Sequence, residues 1–160
     1  MRLVGGLVLV GWCVGALVSG CGGADVVFEQ EQSFADRQWA YADSVSFDFT
    51  VEDTSSRYDM VLSVDHGTDF AHQNFYVALT THLPSGQILQ QPLSLELADN
   101  FGEWYGDCSG GGCSIDIALQ QGTRFADRGD YRLVVAQYSR EDVLADIDGI
   151  GFQLIRLNGS

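Results

Sequence analysis

The chain has 160 residues, with Asp and Glu numbering 22 against 8 arginines and no lysine, a formal net charge of −14. Such a surface repels nucleic acid and anionic lipid headgroups, so neither is expected as a direct ligand. The length suits one domain with an ordinary core and leaves no room for a separate catalytic domain.

Arg2 is the only charge ahead of an apolar stretch covering residues 3–17. That stretch has the length of a signal-peptide core and is short for a bilayer span. Val18-Ser19-Gly20 then places small residues before Cys21. A lipoprotein signal peptidase needs such a slim segment and a thiol to carry diacylglycerol, whereas an ordinary secretory leader has no use for the cysteine. Residues 1–20 are therefore read as a lipoprotein signal peptide and Cys21 as the lipidation site. Loss of Arg2 takes the mature charge to −15. Gly22 is not the aspartate that retains some lipoproteins in the inner membrane, which points to the outer membrane. Residues 21–36 follow as a lipidated tether, glycine-rich and then acidic and Gln-rich, and residues 37–160 as the folded domain.

Within that domain the hydrophobic pattern has a period of two. Val45, Phe47, Phe49 and Val51 alternate with Ser46, Asp48, Thr50 and Glu52, placing four apolar side chains on one face of a strand. Tyr58, Met60, Leu62 and Val64 repeat the pattern, then Phe75, Val77 and Leu79, ending at the turn Pro84-Ser85-Gly86. Leu93, Leu95 and Leu97 form a fourth run and Ile115, Ile117 and Leu119 a fifth. Residues 131–138 and 150–157 supply the last two. Residues 139–147 are the one helical candidate, with Ser139 as cap, Glu141 and Asp142 in the first turn and Gly149 beyond its end. The expected fold is all-β: an antiparallel β-sandwich, jelly-roll-like, of about seven to eight strands with one short helix near the C-terminus.

Cys108 and Cys113 enclose Ser109-Gly110-Gly111-Gly112. In an oxidising envelope compartment a disulfide pinning this loop is preferred over a metal or redox pair, because two thiols are too few ligands and the spacing is not C-x-x-C. His66, His72 and His82 match no ligand spacing and are read as surface histidines. Asp146-Ile147-Asp148-Gly149 opens like a calcium loop but lacks the later ligands; Asp99-Asn100 and Asp107 flank a turn and are a further, disfavoured candidate for Ca²⁺ in a sandwich loop. No catalytic motif and no cofactor fingerprint is present, so no catalytic, cofactor or metal residues are assigned. Phe101-Gly102-Glu103-Trp104-Tyr105-Gly106 gathers three aromatics around two glycines. Trp104 either folds over the core edge or, with Tyr105, offers an aromatic anchor to a protein partner or a glycan. The missing lysines also fit a salty habitat, where short-range screening tolerates such a charge.

Trp39, the strand over residues 47–51 with Asp53, Asp69-Phe70 with Asn74-Phe75, and Pro84 with Gly86 continue into Leu95-Glu96-Leu97-Ala98-Asp99 and Gly102-Glu103-Trp104-Tyr105-Gly106. Gly129 with Tyr131, Gln137 with Arg140, and Leu144-Ala145-Asp146-Ile147-Asp148-Gly149-Ile150-Gly151 complete the series. In this order the pieces resemble the GldH gliding-motility lipoproteins of Bacteroidetes-type bacteria, from about Phe34 to Leu157. Asp65-His66, where a basic residue is expected, and the Cys108–Cys113 loop depart from that pattern. The resemblance implies a non-enzymatic, membrane-anchored accessory of gliding motility and its associated protein-secretion machinery. Its expected partners are other envelope proteins, reached by protein–protein binding. A cell-surface glycan-binding module is the alternative.

Overall fold

The computed structural model describes residues 25–157; the expected signal peptide and Cys21 lie outside them. Eleven strands follow one another: β1 (Asp25–Ser33), β2 (Gln38–Ala40), β3 (Ser44–Val51), β4 (Arg57–Gly67), β5 (Asn74–His82), β6 (Ile88–Glu96), β7 (Asp107–Ser109), β8 (Gly112–Thr123), β9 (Gly129–Gln137), β10 (Val143–Ala145) and β11 (Ile147–Leu157). A five-stranded sheet has the order β1-β11-β4-β8-β7 and a four-stranded sheet the order β3-β9-β5-β6, with β10 and β2 forming a small two-stranded ribbon. The pairings within these sheets are antiparallel. The fold is an all-β sandwich.

Alternation along the strands explains why two sheets form and why they stack. In β3 every second residue, Val45, Phe47, Phe49 and Val51, is buried while its neighbours are exposed. β4 and β9 bury Tyr58, Met60, Leu62 and Val64, and Tyr131, Leu133 and Val135, in the same rhythm. The apolar faces meet at an aromatic seam. Phe152 of β11 lies 5.6 Å from Phe47 and 5.3 Å from Phe49 between ring centroids, and Phe49 stacks on Tyr131 at 5.6 Å. Each such ring removes a large apolar area from water and gains further from offset packing.

Four short or exposed strands were hidden from the periodicity. β2, β7 and β10 have three residues each, too few to show a period. β1 occupies most of the segment expected to be a tether, which corrects that boundary. Its composition is polar because it is a sheet edge with a single inward anchor, Phe28, whose ring lies 5.8 Å from Phe49 and 6.0 Å from Phe152. Gln153 donates to Glu29 at 2.7 Å, and Arg156 pairs with Asp25.

The expected C-terminal helix is absent. Ser139 does accept the Glu141 amide at 3.2 Å, as a cap would, but the chain then extends into β10, where Leu144 pairs with Trp39. Nine residues form a marginal helix at best, because nucleation is costly. Burying Leu144 beside the fully buried Trp39 decides the outcome. Gly149, read as the residue ending a helix, lies inside β11 instead.

The turn before β4 is closed by Asp53, which accepts hydrogen bonds from the Ser55 amide at 2.8 Å and the Ser55 and Ser56 hydroxyls at 2.6 Å each. Those donors hold its carboxyl well below the usual aspartate range. Tyr58 donates to the Asp53 carbonyl at 2.7 Å, tying the turn to the core.

Phe152→Ala should cost about 3–5 kcal/mol in denaturant unfolding, because it empties the centre of the seam. Asp53→Asn should lower the melting temperature near neutral pH. With a depressed folded-state pKa, the carboxylate's contribution is complete above about pH 4 and fades as pH falls below it. Calorimetry should therefore show the gap between wild type and variant narrowing as pH is lowered from about 5 toward 2.

Candidate functional site

The aromatic loop expected to offer Trp104 and Tyr105 is built by Asp99. Its Oδ1 accepts the amides of Phe101 at 2.8 Å and Glu103 at 2.9 Å, and the Asp99 amide donates to the Glu103 carbonyl at 2.9 Å. Asp99 is thus a turn former. The loop returns to the sandwich through a bridge between Ala98 and Trp104 and a Tyr105 amide bond to the Leu97 carbonyl at 2.8 Å. Gly106 has φ +79°, and a Cβ there would come within 2.2 Å of the Ser114 carbonyl oxygen, so the chain can lie this close to β8 only with glycine. Cys108 and Cys113 then face each other across the β7–β8 hairpin and are disulfide-bonded, with Cα atoms 4.0 Å apart.

The structure separates the two aromatic candidates. Trp104 is partly buried against the core, whereas Tyr105 stays exposed. Beneath Trp104 sits His66, whose imidazole is 4.6 Å away between centroids and fully buried. This corrects the surface reading of His66. It occupies the next inward position of β4 after Val64, so the period of two already carried the signal. Its Nδ1 meets the Gly67 carbonyl at 2.9 Å and its Nε2 has no partner. Rings continue the contact outward: His66 lies 5.7 Å from Phe70, and Phe70 lies 5.4 Å from His72. The loop aromatic therefore buttresses the residues that lead to His72.

His72 stands on the wall of a cleft of about 510 Å³ at the end of the four-stranded sheet. No motif or periodicity in the sequence marks this cleft, because its lining comes from segments far apart in the chain. Asn74, Tyr76, Tyr138, Arg140 and Glu141 line it with His72, and Phe75 and Leu144 supply apolar contact from the core. β5 and β9 pair Val77 with Gln137, and the Tyr138 amide extends that ladder to the Tyr76 carbonyl at 2.7 Å. Cross-strand partners share a face. With Val77 and Gln137 buried, Tyr76 and Tyr138 stand side by side on the outer face, 51% and 57% exposed.

Gln137 fixes the loop that forms the other wall. Its Nε2 donates to the Glu141 carbonyl at 3.2 Å and the Trp39 carbonyl at 3.4 Å. Its Oε1 accepts the Ser139 amide at 3.3 Å and the Ser139 hydroxyl. Glu141 pairs with His72 at 3.1 Å across the cleft. On the β5 side Asn74 donates to Ser94 at 3.0 Å, and Ser94 donates to Glu96 at 2.8 Å. Among the described residues Arg140 forms no ion pair.

The other acidic candidates serve the scaffold. Asp146 and Asp148 face Arg37, with Arg37 Nε 2.6 Å from Asp148 and Nη1 3.4 Å from Asp146. Hydrogen bonding to Asp148 raises the Arg37 pKa above its ordinary value. The described residues contain no helix long and apolar enough to cross a membrane.

Residues 26–154 match the family model described as GldH lipoprotein. Among curated proteins none matches the sequence. Among solved structures, the carbohydrate-binding module CBM28, specific for non-crystalline cellulose, is similar at 14% identity and TM-score 0.43, over 82% of this chain and 73% of that one. Dimeric latent PorU from Porphyromonas gingivalis is similar at 10% identity and TM-score 0.36, over 84% of this chain and 13% of that one. Neither likeness bears on what this chain does.

The Cys108–Cys113 bridge closes a short loop, so reducing it should cost on the order of 2–3 kcal/mol in denaturant unfolding while the far-UV circular dichroism persists. Alkylation of the unreduced protein should label neither cysteine; two labelled thiols would contradict the bond.

Proposed function

Because the chain belongs to the GldH lipoprotein family, we propose that it is a non-enzymatic accessory of gliding motility and of the associated protein-secretion machinery. The observation that carries the proposal is the extent of the match, which spans the sandwich from β1 to β11. In this reading Cys21 carries the lipid that holds the domain at the outer membrane, and the domain acts by binding other envelope proteins. Stable anchoring needs two or more acyl chains, because a single chain binds only marginally. The acidic surface removes electrostatic attraction to anionic headgroups, so the lipid has to supply the attachment.

Such a protein works as a rigid, anchored surface. The sandwich suits this because its core residues come from strands far apart in sequence, so the outer faces are held in fixed register. The polar loops and edge strands are then free to carry contacts to partners.

The test is a gene deletion complemented with wild type or with Cys21→Ser. Cells lacking the protein should stop spreading on agar and secrete less surface adhesin, and wild type should restore both. Cys21→Ser should keep its leader uncleaved and fail to restore movement. Normal gliding and secretion in the deletion strain would sink the proposal, and processing of the serine variant to a soluble domain would sink the anchor.

A further inference from the structure

We infer that the Tyr76–Tyr138 cleft is a binding site for a neutral sugar unit of a glycan. This goes beyond the motility proposal and stands or falls separately from it. Tyr138, one residue past β9, is held opposite Tyr76 of β5 by the hydrogen bond from its amide to the Tyr76 carbonyl, yet each tyrosine is about half exposed. Both residues line the cleft, with about half of each left in water. Their apolar ring surfaces are what the C–H face of a sugar ring would lie on, as aromatic side chains with a polar tip serve at ligand surfaces.

The polar groups around them set the ligand's chemistry. Arg140 supplies donors, Glu141 and Asn74 supply acceptors, and His72 offers a ring nitrogen. A hydroxyl both donates and accepts, so a mixed rim of this kind matches a polyhydroxylated ligand better than a purely anionic or cationic one. Charge points the same way. The lining holds one arginine and one glutamate and is formally neutral, on a chain whose net charge is −14. An anionic ligand would be repelled by the surrounding surface, and a cationic one would meet Arg140 inside the cleft. A volume of about 510 Å³ is in the range of small-molecule sites.

The site is also ordered before any ligand arrives. Buried Gln137 holds the Ser139–Glu141 wall through three hydrogen bonds and ties it to the Trp39 carbonyl through a fourth, and the His72–Glu141 contact spans to the β5 side. Pre-organisation of this kind lowers the entropy lost on binding.

The experiment uses the full-length lipoprotein in detergent, applied to an array of neutral and acidic oligosaccharides, with the strongest neutral hit measured by calorimetric titration. Saturable binding to a neutral saccharide is expected. Tyr76→Ala and Tyr138→Ala should each weaken it about tenfold, a factor equivalent to about 1.4 kcal/mol. Arg140→Gln should weaken it in the same direction, and Tyr105→Ala should leave it unchanged. Circular dichroism and melting curves check that each variant is folded, and Arg140→Gln serves where a tyrosine variant is not. The inference is overturned if folded protein binds no neutral saccharide, if it prefers acidic ones, or if binding persists unchanged in Tyr76→Ala and Tyr138→Ala.

Discussion

At the last inward position of β9 the apolar series Tyr131, Leu133 and Val135 gives way to Gln137, an amide that is 2% exposed. A buried amide costs several kcal/mol if left unpaired, so wherever it sits the surrounding chain must supply donors and acceptors. Here two segments do so. The carbonyl of Trp39 comes from β2, and the Glu141 carbonyl with the Ser139 amide and hydroxyl comes from the loop between β9 and β10. The small ribbon, the cleft wall and the end of the main sheet are therefore joined at one residue. The aromatic seam of Phe47, Phe49 and Phe152 holds the two sheets together; Gln137 decides what stands at their open end.

His66 is the other buried polar side chain among the described residues, and it is satisfied only in part, at Nδ1. It lies in the row of rings from Trp104 through Phe70 to His72. The loop that looked most like a binding surface thus works mainly as a brace, and the exposed aromatic pair stands at the far end of that row.

The main strands were legible because a half-buried strand writes its burial into every second residue. That signal reaches from Val45 to Val51 and from Tyr58 to Val64, and it even marks His66, whose polar side chain argues for the surface while its position on β4 faces inward. Where strands are short the period cannot repeat, so β2, β7 and β10 left no trace. β1 was hidden by a polar composition around a single anchor, Phe28. Residues 139–147 carry genuine helix-start chemistry at Ser139, but a tertiary contact, Leu144 beside Trp39, outweighed it. The cleft was illegible for a different reason. Tyr76 and Tyr138 are both readable as outward-facing, yet only the pairing of β5 with β9, a non-local event, makes them neighbours.

Hydrogen exchange of a Gln137→Met variant, read by mass spectrometry against wild type, tests the central role of the buried amide most directly. Methionine keeps the volume and apolar packing but removes every hydrogen bond. β3, β4 and β11 should keep their protection, because the seam is untouched, while amides in residues 138–145 and in β2 should exchange markedly faster. Unchanged protection in those segments would contradict the account, because the open end of the sandwich would then be held by something other than Gln137.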